Sequence, residues 1–105
     1  MQNELVFTEE GGALVALIDC EIDHHTAKRI REAVDERLIA ARPRELVFDF
    51  SGVGFMDSSG IGLVLGRVEK AERVDACVKI TGLSPTLRKL FRISGIEKLE
   101  RITVS

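Results

Sequence analysis

The residues with the clearest chemical potential lie in segment 55–60, FMDSSG, where two adjacent serines precede a glycine. A serine nucleophile between a strand and a helix needs a glycine two positions before it and another two positions after it. Ser58 has Met56 at the first of these positions, and Ser59 has a glycine at neither. Both histidines of the chain precede the serines, which reverses the order of the hydrolases built on that turn. The segment therefore disfavours a catalytic triad.

Glycines at positions 60, 62 and 66 follow a predicted strand and open a predicted helix, as a phosphate-binding loop does. Their spacing is G-x-G-x-x-x-G, one residue longer than the dinucleotide fingerprint, and no lysine stands where a P-loop needs it. The pattern favours close packing or the close approach of a partner over a nucleotide pocket.

A metal site is also disfavoured. His24 and His25 are adjacent, so their side chains diverge, and only Glu21 and Asp23 offer further ligands nearby. Nothing in this segment resembles two ligands at helical spacing with a third beyond them. We expect polar residues at the start of a helix here, and we expect neither a metal nor a cofactor.

The composition bounds the remaining function classes. The chain has 105 residues, is 45% hydrophobic and 30% charged, and carries a net charge of −2, which is typical of one soluble domain. With 5 Phe, no Trp and no Tyr, it has neither the basic surface nor the stacking residues that nucleic acid requires. No apolar run could span a bilayer and no secretory signal is evident, so we expect a cytoplasmic protein with no membrane partner.

The two cysteines fit the same location. Cys20 and Cys77 are far apart in sequence, and each lies in an apolar, strand-like segment. This favours two buried thiols in a reducing compartment, with a disulfide as the alternative.

The hydrophobic periodicity predicts a single α/β domain with the element order β-β-α-β-α-β-α-β, in which the helices pack against a mixed sheet. The predicted strands cover 5–7, 13–18, 46–50, 77–80 and 101–104. The predicted helices cover 26–41, a segment that begins near Ser58, and a segment that begins after Ser84 and ends before Gly95. Gly11-Gly12 between the first two strands indicates a hairpin.

The helix after the serines predicts an unusual surface. The residues expected to face the core are Ile61, Val64, Leu65 and Val68. A step of 100° per residue then directs Ser59, Gly62, Leu63 and Gly66 towards solvent. Each glycine destabilises a helix interior by about 1 kcal/mol relative to alanine, so the glycines of this strip require an explanation. Close approach of a partner would supply it, and packing against another element of the chain is the alternative.

A serine at a helix start usually serves as a cap. If phosphorylated instead, it would gain a charge of about −1.5 to −2. Asp57 would lie beside that charge, and the free helix N-terminus would tolerate it. A partner in close contact with the helix would not tolerate this charge. One covalent change could therefore control binding.

Three segments together resemble a known family. They are 21–27 (EIDHHTA), 55–62 (FMDSSGIG) and 65–67 (LGR), and the resemblance extends over nearly the whole chain, including Ser84-Pro85 and segment 90–95. The chain closely resembles the anti-sigma factor antagonists of the STAS domain class, above all the anti-sigma-F antagonists of spore-forming bacteria. The resemblance implies one STAS domain over residues 1–105, with a mixed sheet of about four to five strands and helices mainly on one face.

The resemblance implies a non-enzymatic regulator of transcription and sporulation that switches partners. The unphosphorylated form binds an anti-sigma factor, which is an ATP-dependent serine kinase, and releases its sigma factor. The kinase phosphorylates Ser58, a PP2C-type phosphatase resets it, and the Asp23 loop lies beside it. Ser59 is then a neighbour and a cap. Independently of the resemblance, we expect an exposed Arg67 at the edge of the contact surface, where it forms an ion pair or, alternatively, is simply solvated. The strip and the resemblance together predict these partner-binding residues: Asp23, His24, His25, Thr26, Asp57, Ser59, Gly60, Gly62, Leu63, Gly66 and Arg67. A scaffold subunit of a stress-signalling complex, with a different partner kinase, is the alternative.

Overall fold

The computed structural model describes residues 4–105, which form one five-stranded sheet beside three α-helices. The strands follow one another across the sheet in chain order: β1 (Leu5–Glu10), β2 (Ala13–Ile18), β3 (Glu45–Asp49), β4 (Cys77–Thr81) and β5 (Ile102–Val104). β1 is antiparallel to β2, and all later pairs are parallel, so the sheet is mixed as predicted. Gly11 and Gly12 form the predicted hairpin turn, with φ angles of 54° and 87° that favour glycine.

The helices are α1 (His24–Ala41), α2 (Ser58–Arg73) and α3 (Pro85–Ser94), followed by a short 3-10 turn, Ile96–Lys98. Ser84 caps α3, Pro85 is its first residue, and Gly95 ends it at φ 78°, all as the sequence predicts. The element order is the predicted one. None of the helices in the described region is long and apolar enough to cross a membrane.

The core lies on one face of the sheet. Alternate residues of each inner strand are buried, as with Leu46 and Phe48 of β3, while Val47 between them is only half-buried. The helices cover the buried face. Phe91 of α3 reaches Phe50 with ring centroids 5.6 Å apart, and Phe50 meets Phe48 at 6.2 Å, both edge-to-face. This one-sided arrangement leaves the two loops at the carboxyl ends of β2 and β3 free to form a surface.

The prediction of two buried thiols was wrong for Cys77. Both cysteines are free, Cys20 is partly buried and Cys77 is exposed. Cys77 begins β4 on the face that the helices leave uncovered, because Val78 takes the inward position. Burial raises the pKa of the Cys20 thiol above its ordinary value, and neighbouring Glu4 adds to the effect.

Candidate functional site

Two loops meet at the carboxyl end of the parallel strands. The N–H of Ile22 donates to the carbonyl oxygen of Phe55 at 3.0 Å, and the N–H of Asp57 donates to the carbonyl oxygen of Ile22 at 3.1 Å. These bonds form a parallel bridge between Ile22 and Met56. The loop that ends at Asp23 is therefore held against the turn that ends at Asp57. The N-termini of α1 and α2 emerge side by side.

Asp23 starts α1 with a capping box. Its Oδ1 accepts the N–H groups of His25 and Thr26, both at 2.9 Å. In return, the Thr26 hydroxyl accepts the N–H of Asp23 at 2.9 Å and donates to the carbonyl oxygen of Glu21 at 2.9 Å. Hydrogen bonding, first of all from the Thr26 N–H, lowers the pKa of Asp23, so this partly exposed side chain stays ionised. The cap also explains why α1 begins at His24 rather than at Thr26.

Asp57 performs the same task for α2. Its Oδ1 accepts the N–H of Ser59 at 2.8 Å, so the prediction that Ser59 caps the helix was wrong. An aspartate two positions before Ser59 already accepts the N–H that a cap must satisfy. Ser58 is the first helical residue and is exposed, and its hydroxyl makes no hydrogen bond within residues 4–105. Ser59 is only partly exposed.

The predicted orientation of α2 was right for Val64 and Val68, which are buried, and wrong for three other residues. Leu63 and Arg67, expected at the surface, are each 4% exposed, whereas Leu65, expected in the core, is 42% exposed. The helix buries two adjacent faces: Val64 and Val68 in the core, and Leu63 and Arg67 against α1. The hydrophobic periodicity of the sequence was interpreted as a single buried face. It could not predict the second buried face, which packs against α1.

The outward face of α2 is consequently different from the predicted strip. Ser58, Gly62 and Leu65 are exposed and follow each other at helical spacing, and we name them the outer strip. Phe55, which precedes the turn, is also 53% exposed. Neither Phe55 nor Leu65 was among the predicted contact residues, although a phenylalanine next to a polar turn is a recognisable signal. The serine turn and the outer strip therefore carry two exposed apolar side chains, Phe55 and Leu65.

The glycines of α2 have separate causes. A Cβ at Gly60 would collide with the side chain of Met56, so this glycine serves close packing within the chain. A Cβ at Gly62 or Gly66 would meet nothing within 4 Å. Internal packing therefore does not explain these two glycines, and close approach of a partner stays a prediction.

Arg67 of α2 forms a buried ion pair with α1. Its Nε lies 2.7 Å from Oδ1 of Asp35 in α1, and its Nη1 donates to the carbonyl oxygen of Leu63 at 3.3 Å. Burial lowers the pKa of the guanidinium, and the Asp35 carboxylate opposes that shift, so the side chain remains charged. The expectation of an exposed Arg67 at the edge of the surface was wrong.

His24 and His25 are both exposed at the start of α1, with ring centroids 5.8 Å apart. Across residues 4–105, no group of three or more His, Cys, Asp and Glu side chains is placed to hold a metal ion. The same end of α1 carries a basic row that was not predicted from the sequence: His24, Lys28 and Arg31 line a groove between α1 and α2.

Comparison with known proteins places this geometry in a family. The STAS domain family model matches residues 4–105. An anti-sigma F factor antagonist of Lysinibacillus sphaericus is 38% identical over 76 residues, which are 72% of this chain and 65% of that protein, just under two-thirds of its length. The anti-sigma F factor antagonist of Paenibacillus polymyxa is 27% identical over 99 residues, covering 94% of this chain and 85% of that protein.

Solved structures show the same fold. The anti-sigma factor antagonist SpoIIAA in its unphosphorylated form is 31% identical, with a TM-score of 0.70 over 85% of this chain and 82% of that one. SpoIIAA, described as a Bacillus cell fate determinant, also has a structure in the phosphorylated form, at 29% identity and a TM-score of 0.73 over 96% of this chain and 90% of that one.

Proposed function

Because the chain belongs to the STAS domain family, we propose that it is an anti-sigma factor antagonist, a non-catalytic protein that binds an anti-sigma factor and thereby frees a sigma factor. Relatives named as anti-sigma F factor antagonists support this function. The joined loops and the outer strip supply a binding surface without a catalytic constellation. Control of sporulation transcription in the cytoplasm follows as part of the proposal.

The observation that carries the proposal is the position of Ser58. It is exposed at the first residue of α2, its hydroxyl has no structural partner in the described chain, and Asp57 has taken over the capping role. A kinase can therefore reach this hydroxyl without disturbing the helix. A SpoIIAA relative exists in a phosphorylated form, which supports the same modification here.

Phosphorylation of Ser58 would switch binding off. The phosphate brings a charge of about −1.5 to −2 to a helix N-terminus, which accommodates it in the free protein. In a complex, the same charge would be buried beside Gly62, where the partner backbone approaches most closely. Desolvation of a doubly charged group without a partner opposes the contact.

The contact surface follows from exposure. We assign direct contact to Asp23, His24, His25, Thr26, Asp57, Ser58, Ser59, Gly62, Leu65 and Gly66. Gly60, Leu63 and Arg67 are buried and support this surface from below. The partner is an anti-sigma factor that acts as an ATP-dependent serine kinase, and a PP2C-type phosphatase restores the hydroxyl.

Phosphate mapping tests this proposal. The protein is incubated with ATP and each anti-sigma kinase of the source genome in turn, and the modified residue is located by mass spectrometry. We expect one phosphate on Ser58, none on Ser58→Ala, and a normal yield on the control Ser51→Ala, which removes an exposed serine outside the contact surface. Undiminished phosphorylation of Ser58→Ala would refute the assignment. Phosphorylation of Ser58 only by a kinase that binds no sigma factor would favour the stress-complex scaffold instead.

A further inference from the structure

A groove of ≈ 450 Å³ separates α1 from α2 beside the serine turn. One wall carries His24, Lys28 and Arg31 of α1, the other is formed by Ser59 and Gly62 of α2, and the buried Leu63 lies below. The three basic residues recur at intervals of four and three positions, so they share one side of the helix. They extend over about 10 Å of helix axis, which is longer than a single phosphate group.

The lysine and arginine of this groove form no ion pair within the described chain. The side chains that line the groove within residues 4–105 include no carboxylate. Among the described residues, neither Lys28 nor Arg31 has an acidic group within ion-pair distance, whereas Arg29, on another side of α1, pairs with Glu4 at 3.1 Å. A chain whose net charge is −2 thus concentrates a lysine and an arginine in the groove that Ser59 lines, one residue after the exposed serine. Such a concentration favours an acidic partner and guides its approach.

We propose that this groove binds an acidic segment of the anti-sigma factor, an inference that rests on the function proposed above. The length of the basic row, the apolar floor at Leu63 and the absence of a side chain at Gly62 fit an extended piece of polypeptide better than a small anion. A segment seated there would lie against Ser59 and hold the kinase active site over Ser58.

The groove also determines the direction of the switch. Ser58 directly precedes Ser59, which forms part of the groove wall. A phosphate on Ser58 places about −1.5 to −2 charge near the groove. That charge repels an acidic segment and competes for Lys28 and Arg31, so modification ejects the partner without a change of fold.

Charge reversal tests the proposal with a matched control. The groove variant is Lys28→Glu/Arg31→Glu, and the control is Lys89→Glu/Arg92→Glu. The control pair has the same spacing, lies on exposed positions of α3 and changes the net charge equally. Affinity for each purified anti-sigma factor of the source genome is measured by calorimetry with the full chain at several salt concentrations.

We expect the groove variant to bind at least about tenfold more weakly than the control at low salt, because contacts between opposite charges are lost and become repulsive. The difference should shrink at about 0.5 M salt, where the screening length falls towards 3 Å. If the groove variant fails to fold by circular dichroism, Lys28→Gln/Arg31→Gln replaces it, with a smaller expected loss.

Equal affinities of the groove variant and the control would overturn the inference and leave the proposed function intact. The inference is equally overturned if inorganic phosphate shifts the amide resonances of Lys28 and Arg31 but the groove variant keeps the control's affinity. If the wild-type protein binds none of the anti-sigma factors, the proposed function fails and the groove inference falls with it.

Discussion

Asp57 holds the first turn of α2 by accepting the N–H of Ser59 at 2.8 Å, and this single hydrogen bond decides what the serines can do. With the cap supplied by a carboxylate, the hydroxyl of Ser58 has no role in the fold and lies open to solvent. The neighbouring glycines also differ in role: one is needed for packing within the chain, and the other leaves the helix surface open. Gly60 is required by Met56, whereas Gly62 has free space above it.

Two glycine-to-alanine substitutions separate these roles. We expect Gly62→Ala to raise the free energy of unfolding by about 1 kcal/mol, because alanine is the better helix former, while it weakens binding of the anti-sigma factor. Gly60→Ala should lower that free energy, because overpacking against Met56 costs about 1–3 kcal/mol. Denaturation followed by circular dichroism, together with calorimetric titration, measures both. Unchanged partner affinity in Gly62→Ala would contradict a flush contact there.

At the scale of elements, the strands, the helices and their order could be predicted because alternation and helical periodicity record burial directly. The caps of α3 could also be predicted, since Ser84, Pro85 and Gly95 each have one strong positional preference. The orientation of α2 could not. Leu63 and Arg67 turn inward because of a tertiary contact with α1, and nothing local to α2 encodes that neighbour. The exposed strip was therefore misplaced, although Gly62 remains on the surface.

The ion pair between Asp35 and Arg67 fixes the packing of α1 on α2. We expect Asp35→Leu to destabilise the protein by about 3 kcal/mol, because it leaves the guanidinium buried and uncompensated. Arg67→Met should cost less, since the Asp35 side chain is 21% exposed and can be hydrated. The double variant should recover most of the loss. Strictly additive effects in a double-mutant cycle, measured by chemical denaturation, would show that the two side chains do not interact.

At the scale of the whole molecule, one face of the sheet provides stability and one end of it provides the binding surface. The buried residues of the strands and of all three helices form one core, whereas the site is made of two loops and two helix N-termini at the carboxyl ends of β2 and β3. The parallel bridge between Ile22 and Met56 connects the two loops. Changes at exposed site residues that neither cap a helix nor pack in the core should therefore leave folding largely intact.

Two phenylalanines close to the same turn test that separation. Phe50 is 1% exposed and packs edge-to-face on Phe91, so Phe50→Ala should lower the free energy of unfolding by about 3–5 kcal/mol. Phe55 is 53% exposed, so Phe55→Ala should change stability by less than about 0.5 kcal/mol and weaken partner binding instead. Thermal melts and binding titrations of both variants provide the comparison. A large stability loss in Phe55→Ala would place that ring in the core.

The charge state of Ser58 is the proposed control of binding to an anti-sigma factor. The decisive measurement compares the affinity of one anti-sigma factor for the unmodified protein with its affinity for the same protein stoichiometrically phosphorylated on Ser58. We predict a loss of at least about a hundredfold, which corresponds to about 2.7 kcal/mol, with an unchanged circular dichroism spectrum. Equal affinities for the two forms would contradict this control.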